Sequence, residues 1–265
     1  MIRISGKLVD SSILNQYGAN SIEGKILNIL LASDQVYNYD SLNELKFELT
    51  LRKSIVTASK DLNRSRMDFL VFRKSRCNPD FWYRTGEGGF ELKSGVRPSD
   101  AIKDIYINSS KYGTECATAM VIVYYKALVD VLPENLFNRM FPRIYLMNWQ
   151  HLDNDLGIVD YMRVADYLPG DCRYFKNPDV DPLKSEWQGE NVFLMENGLY
   201  YGHGIGITTG DRIIEALNRK RIKGSTISAY LLPSAKRLNF KYLSSKYYGF
   251  SSGSREDYYF INTLR

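Results

Sequence analysis

The sequence is poor in the features that mark several large protein classes. No run of 18 apolar residues occurs, and the longest apolar stretch, 117–132, is broken by Lys126 and Asp130, so a membrane span is not expected. The first ten residues, MIRISGKLVD, lack the apolar centre of a signal peptide, and synthesis in the cytoplasm without an export leader is expected. Only three cysteines occur in 265 residues, Cys77, Cys116 and Cys172. So small and odd a number speaks against a disulfide framework and for a reducing environment. The two histidines, His151 and His203, are 52 positions apart, and the acidic stretch Asp153-Asn-Asp155 lacks the glycine and distal glutamate of a calcium loop. Neither a metal site nor a cofactor is therefore expected. An excess of charge of one sign is also lacking: 35 basic residues face 30 acidic ones, as a solvated surface requires. The one basic cluster, Arg219, Lys220, Arg221 and Lys223, suits the negative end of a helix dipole, so nucleic acid is not expected as a partner.

A composition of 44% hydrophobic and 25% charged residues is that of a folded globular chain. Ser41-Leu-Asn-Glu44 reads as a capping box opening an amphipathic helix to about Leu62. The segments 81–83 and 90–92, separated by Gly86-Glu-Gly-Gly89, read as a hairpin, and Pro98 opens a short helix. Thr114 is the expected cap of a helix running from Glu115 to about Val131, apolar on nearly every side and so buried. Strands are expected over 143–149, 170–175 and 226–232. A second hairpin is expected over 191–207. Helices come first and strands later, which points to one α+β domain of residues 1–232. Residues 233–265, rich in tyrosine and serine, are expected to form an appended extension.

Cys116 stands out among the thiols, because the second position of a helix exposes it to unpaired N–H groups and the dipole, which lower a thiol pKa. Glu115 next to it opposes this unless its carboxylate is itself the proton acceptor. If Asn197-Gly198 is a two-residue loop, paired positions in the second hairpin sum to 395. His203 then lies opposite Val192, and Glu190 lies diagonal to it on the same face, about 7–8 Å away. The glycines at 202 and 204 leave room for a close approach. A thiol, an imidazole and a carboxylate form the set needed for acyl transfer through a thioester.

Several strings, Gly113-Thr-Glu-Cys116-Ala-Thr-Ala, Gly170-Asp-Cys-Arg-Tyr-Phe-Lys-Asn-Pro178, Trp187-Gln-Gly-Glu-Asn191 and Gly202-His-Gly-Ile-Gly206, together resemble the spore-coat protein-glutamine gamma-glutamyltransferases of bacilli. The resemblance covers roughly residues 1–232. It implies a papain-like core of the compact bacterial (NlpC/P60) type, with the buried nucleophile helix against an antiparallel sheet. It implies calcium-independent cross-linking of coat proteins through glutamine–lysine isopeptide bonds. Cys116 matches the family nucleophile, Glu190 an essential acid, Glu115 a second acid that shares its work, and His203 a site histidine. By chemistry alone His203 is the natural base, whereas the resemblance favours a carboxylate.

Both substrate side chains are long and unbranched, so aromatic walls that exclude water are expected. Trp187, Tyr174, Trp149 and Phe69 are the candidates. The implied partners are glutamine- and lysine-bearing spore coat proteins, met by a monomer at the spore coat. Two other readings stay open at this level: a cysteine peptidase or amidase on the same scaffold, and a non-enzymatic tyrosine-rich coat component.

Overall fold

The computed structural model describes residues 1–262, with side chains through residue 251. Seven α-helices are α1 (Ile22–Ala32), α2 (Leu42–Ser65), α3 (Pro98–Ile107), α4 (Cys116–Val131), α5 (Glu134–Met140), α6 (Gly210–Asn218) and α7 (Phe240–Asn262). The cap expected for α2 is present in altered form. Ser41 Oγ accepts from Glu44 N at 3.2 Å, while the Glu44 carboxylate accepts from Asp40 N at 2.8 Å, one residue before the cap. Either way two N–H groups at the helix start are satisfied. The helix runs one turn past expectation and stops at Arg66, which is left-handed with φ 57°.

α4 is the centre of the molecule. Twelve of its sixteen residues are buried, and it packs against α2, α3, α5 and the strand Gly189–Leu194. Its all-round apolar sequence follows from those neighbours. The main sheet is antiparallel. Its strands run in the order Gly206–Thr208, Tyr200–Gly202, Gly189–Leu194, Cys172–Lys176, Ala235–Leu238 and Ile158–Tyr161, with Tyr230–Leu231 also paired to Cys172–Lys176. Smaller pairings surround it. The hairpin Trp82–Arg84/Phe90–Leu92 forms as expected and adds Tyr145–Leu146, the only part of 143–149 that is strand. A short parallel pair, Asp68–Phe69 with Gly113–Thr114, lays Phe69 beside Thr114.

Residues 233–251 are not an appendage. Ala235–Leu238 is an interior strand of the main sheet, and α7 packs on α2 with Phe240 and Leu243 buried. The physical reason is a buried charge cluster. Asp171 pairs with Arg52 of α2 at 2.8 Å and with Arg237 at 2.7 Å, all inside the protein. Burial disfavours the Asp171 charge, but the two guanidiniums outweigh it and hold the carboxyl below its ordinary range. Removing Asp171 would leave two guanidiniums facing each other without the carboxylate between them. Of the expected extension, the side chains of 252–265 and all of 263–265 lie outside the described residues.

Candidate active site

The strand Gly113–Thr114 delivers the chain to Glu115, which caps α4. Its carboxylate accepts from Ala117 N and Thr118 N at 2.6 Å each. Glu115, not Thr114, is therefore the cap, and Cys116 is the first helical residue rather than the second. The free N–H groups that were expected to favour a thiolate are turned to the neighbouring carboxylate instead. Cys116 is buried, and burial pushes its thiol well above the ordinary value, with the negative charges of Glu190 and Glu115 pushing the same way. Hydrogen bonds from Asn191 act in the opposite direction. The side-chain bond is explicit: Asn191 Nδ2 donates to Cys116 Sγ at 3.4 Å. Asn191 Oδ1 in turn accepts from Trp149 Nε1 at 3.2 Å. That bond fixes which end of the amide faces sulfur, so Trp149, Asn191 and Cys116 form a relay.

Glu190 is fully buried, and burial followed by the charge of Glu115 raises it well above an ordinary glutamate. Its Oε1 has no hydrogen-bond partner among the described residues. The carboxyl lies over Gly202, where any Cβ would come within 2.8 Å of Oε1. An uncompensated buried carboxyl beside a thiol is costly, and such groups concentrate where proton transfer is needed.

The expected register of this hairpin is off by one. Val192 pairs with Gly202 and Leu194 with Tyr200, so paired positions sum to 394. The loop between them is five residues, 195–199, not two. A slip of one residue reverses the face of every side chain. The same-face argument for Glu190 and His203 therefore fails. His203 instead sits in the turn after Gly202 and is not among the residues lining the cavity of Cys116. Its Nε2 lies 3.2 Å from the Asp68 carbonyl and its Nδ1 3.4 Å from Tyr201 Oη. Burial lowers it to about 4 although the Asp68 and Thr114 backbones draw it upward. It is a neutral imidazole at neutral pH.

The four aromatic candidates fall into two groups, only one of which lines the cavity that holds the thiol. Trp149 and Tyr174 line a cavity of about 990 Å³ together with Cys116, Glu115 and Asn191. Burial and the charges of Cys116 and Glu190 push the Tyr174 phenol up to about 12. Phe69 and Trp187 do not line that cavity. They stack on each other with centroids 5.3 Å apart, and Phe69 meets His203 at 6.0 Å. Gly204, at φ +95°, exists to admit Phe69, whose ring a Cβ would meet at 2.8 Å. The room at 202 and 204 is thus filled by Glu190 and Phe69. His151 stacks on Tyr145 and is not among the cavity's lining residues. Asn191 was missed because a neutral amide carries no acid–base signal. Its place directly after Glu190 was the available clue.

Comparison with known proteins decides what this arrangement serves. The sequence model of the protein-glutamine gamma-glutamyltransferase family matches residues 1–248. The chain belongs to this family. A protein-glutamine gamma-glutamyltransferase of Bacillus mycoides (strain KBAB4) is 43% identical over 245 residues, 92% of this chain and 88% of that one. One of Bacillus cereus (strain 03BB102) is 42% identical over the same shares. A solved transglutaminase from Geobacillus stearothermophilus, without its C-terminal extension, is similar with a TM-score of 0.74 and 52% identity, covering 78% of this chain and 98% of that one. The fold is thus the mixed helix and sheet domain of a bacterial transglutaminase, and the chain is an acyltransferase rather than a non-enzymatic structural protein.

Proposed function

We propose that the chain joins proteins through glutamine–lysine isopeptide bonds, with Cys116 as nucleophile. The observation that carries this reading is the Asn191 amide held on Cys116 Sγ beside two carboxyls and an open cavity. Cys116 Sγ attacks the carboxamide carbon of a glutamine. The thiol proton passes to Glu190 and from there to the departing nitrogen, so the C–N bond breaks and ammonia leaves. A lysine amine then attacks the thioester. Its proton returns through Glu190 to sulfur as the C–S bond breaks.

A carboxyl raised towards neutrality suits a group that must both take and return a proton. Glu115 places a second negative charge at the same point and can share that work. His203 is neutral and bonded to a backbone carbonyl, which supports a positioning role over that of base. No step calls for a metal, so calcium independence belongs to the reading. So does the papain-like, NlpC/P60-type relation, which rests on a nucleophile opening a buried helix packed on an antiparallel sheet. Coat proteins of the spore as substrates, location at the coat and a monomeric state rest on the sequence resemblance alone.

The test is incorporation of a labelled amine into a glutamine protein with ammonia release measured alongside, in excess chelator. Equal amounts of amine bound and ammonia released support the reading. Ammonia release with free glutamate as the product would favour the amidase alternative, and calcium dependence would remove the metal-free mechanism.

A further inference from the structure

Trp149 and Trp187 each carry one of the protein's own lysines. Lys236 Nζ lies over the Trp149 ring at 5.2 Å, and Lys220 Nζ over Trp187 at 4.8 Å. The settings differ. Lys236 is ion-paired to Asp160, and both line the cavity that holds Cys116. Lys220 has no ion pair among the described residues and is not among that cavity's lining residues.

An indole face beside a carboxylate is the natural receptor for a primary ammonium, through cation–π attraction and charge. The Trp149–Asp160 pair is such a receptor, and its ring edge is bonded to the amide that holds the nucleophile. A glutamine carboxamide carries no charge and gains nothing from the carboxylate. We infer that the Trp149–Asp160 cradle is the subsite for the acceptor lysine, and that Lys236 occupies it in the empty enzyme as an internal competitor. This rests on the transferase reading above. The incoming ammonium displaces Lys236 from the indole face. Asp160 is largely exposed and keeps the displaced lysine within reach. Until then the indole face is filled by the protein's own lysine.

The experiment compares two nucleophiles on the full chain: dansyl-cadaverine, a protonated primary amine, and hydroxylamine, which is uncharged at neutral pH. Their KM values are measured with one glutamine peptide as donor. Lys236→Met should lower the dansyl-cadaverine KM relative to the hydroxylamine KM by about two- to fivefold, the worth of one cation–π contact. Lys236→Gln should do the same and serves if the first variant folds poorly. Lys236→Arg keeps a cation over the ring and should leave the ratio near that of the unaltered chain. An unchanged ratio in Met and Gln variants, an equal shift for both nucleophiles, or a rise in the dansyl-cadaverine KM would each overturn the inference. Absence of ammonia release by the unaltered chain would instead overturn the transferase reading itself.

Discussion

Two tryptophan clusters, one bonded to Cys116 through Asn191 and one around Phe69 and His203, are built from similar residues and behave differently. On one side Trp149 uses its indole N–H to hold Asn191, which holds the sulfur, and beyond them lies the open cavity. On the other side Trp187 uses only its ring faces, against Phe69 and Lys220, and His203 donates into backbone rather than towards the thiol. One side is wired to the Cys116 sulfur by hydrogen bonds. The other, held by ring contacts alone, is the proposed wall. The same residue type serves orientation where its polar edge is engaged and exclusion of water where it is not.

Breaking the wired side should have the largest effects. Cys116→Ala should abolish ammonia release, while Cys172→Ala and Cys77→Ala stay active. Burial raises both of the latter thiols, Cys77 to about 11, and among the described residues no donor is bonded to either sulfur as Asn191 is to that of Cys116. Loss of turnover in folded Cys172→Ala would reassign the nucleophile. Asn191→Ala should reduce kcat by about 10²-fold or more, the scale for a lost donor at developing negative charge. An effect confined to KM would make Asn191 a substrate contact instead.

On the wall side, Trp187→Ala should raise the free glutamate formed per isopeptide several-fold, since water then reaches the thioester. If the same change in ratio came only from Trp149→Ala, the roles of the flanks would be reversed. A subtler probe is pH. Cys116 and Glu190 are both raised, partly by the charge of Glu115, so the resting pair holds its protons and must lose one to react. The kcat/KM profile should rise with pH, and Glu115→Gln should move that rise to lower pH. A shift in the other direction would mean that the Glu115 charge is not felt there.

The last expected effect concerns folding rather than turnover. His203 titrates at about 4 in the folded chain against an ordinary 6.5. Its contribution is whole above pH 6.5 and is lost as pH falls towards 4, because only the unfolded chain binds the proton in that window, a loss of about 3 kcal/mol. The fall in Tm between pH 6.5 and 4 should be shallower in His203→Gln.

Much of this was legible in sequence where local chemistry decides structure. Ser41 and Pro98 announced their helices, and the all-round apolar face of residues 117–128 announced burial. Fold details were lost where long-range packing decides. The register failed although Asn197 and Gly198 take the left-handed φ of 62° and 73° that a two-residue turn requires, because Glu196 joins them in the loop and Met195 N bonds the Leu199 carbonyl. The interior strand Ala235–Leu238 was hidden because its buried ends enclose Lys236 and Arg237, whose charges find partners only in the folded sheet. For the site, Glu115, Trp149 and Tyr174 line the cavity of Cys116 and the Glu190 charge reaches it, whereas Phe69 and Trp187 lie outside that lining and the neutral Asn191 was not visible in sequence.

The placement of Ala235–Leu238 inside the sheet also bears on how the molecule acquires its activity. Lys236 pairs across 76 positions with Asp160 and lies in register with Cys172. Contacts so distant in sequence form slowly, because the intervening chain must be gathered first. The thiol, its cap Glu115 and the helix behind them are local and can assemble early. The cradle holding Lys236 waits on the most remote pairing in the sheet. Competence for transfer therefore matures late, and refolding assays should recover thiol burial before amine incorporation.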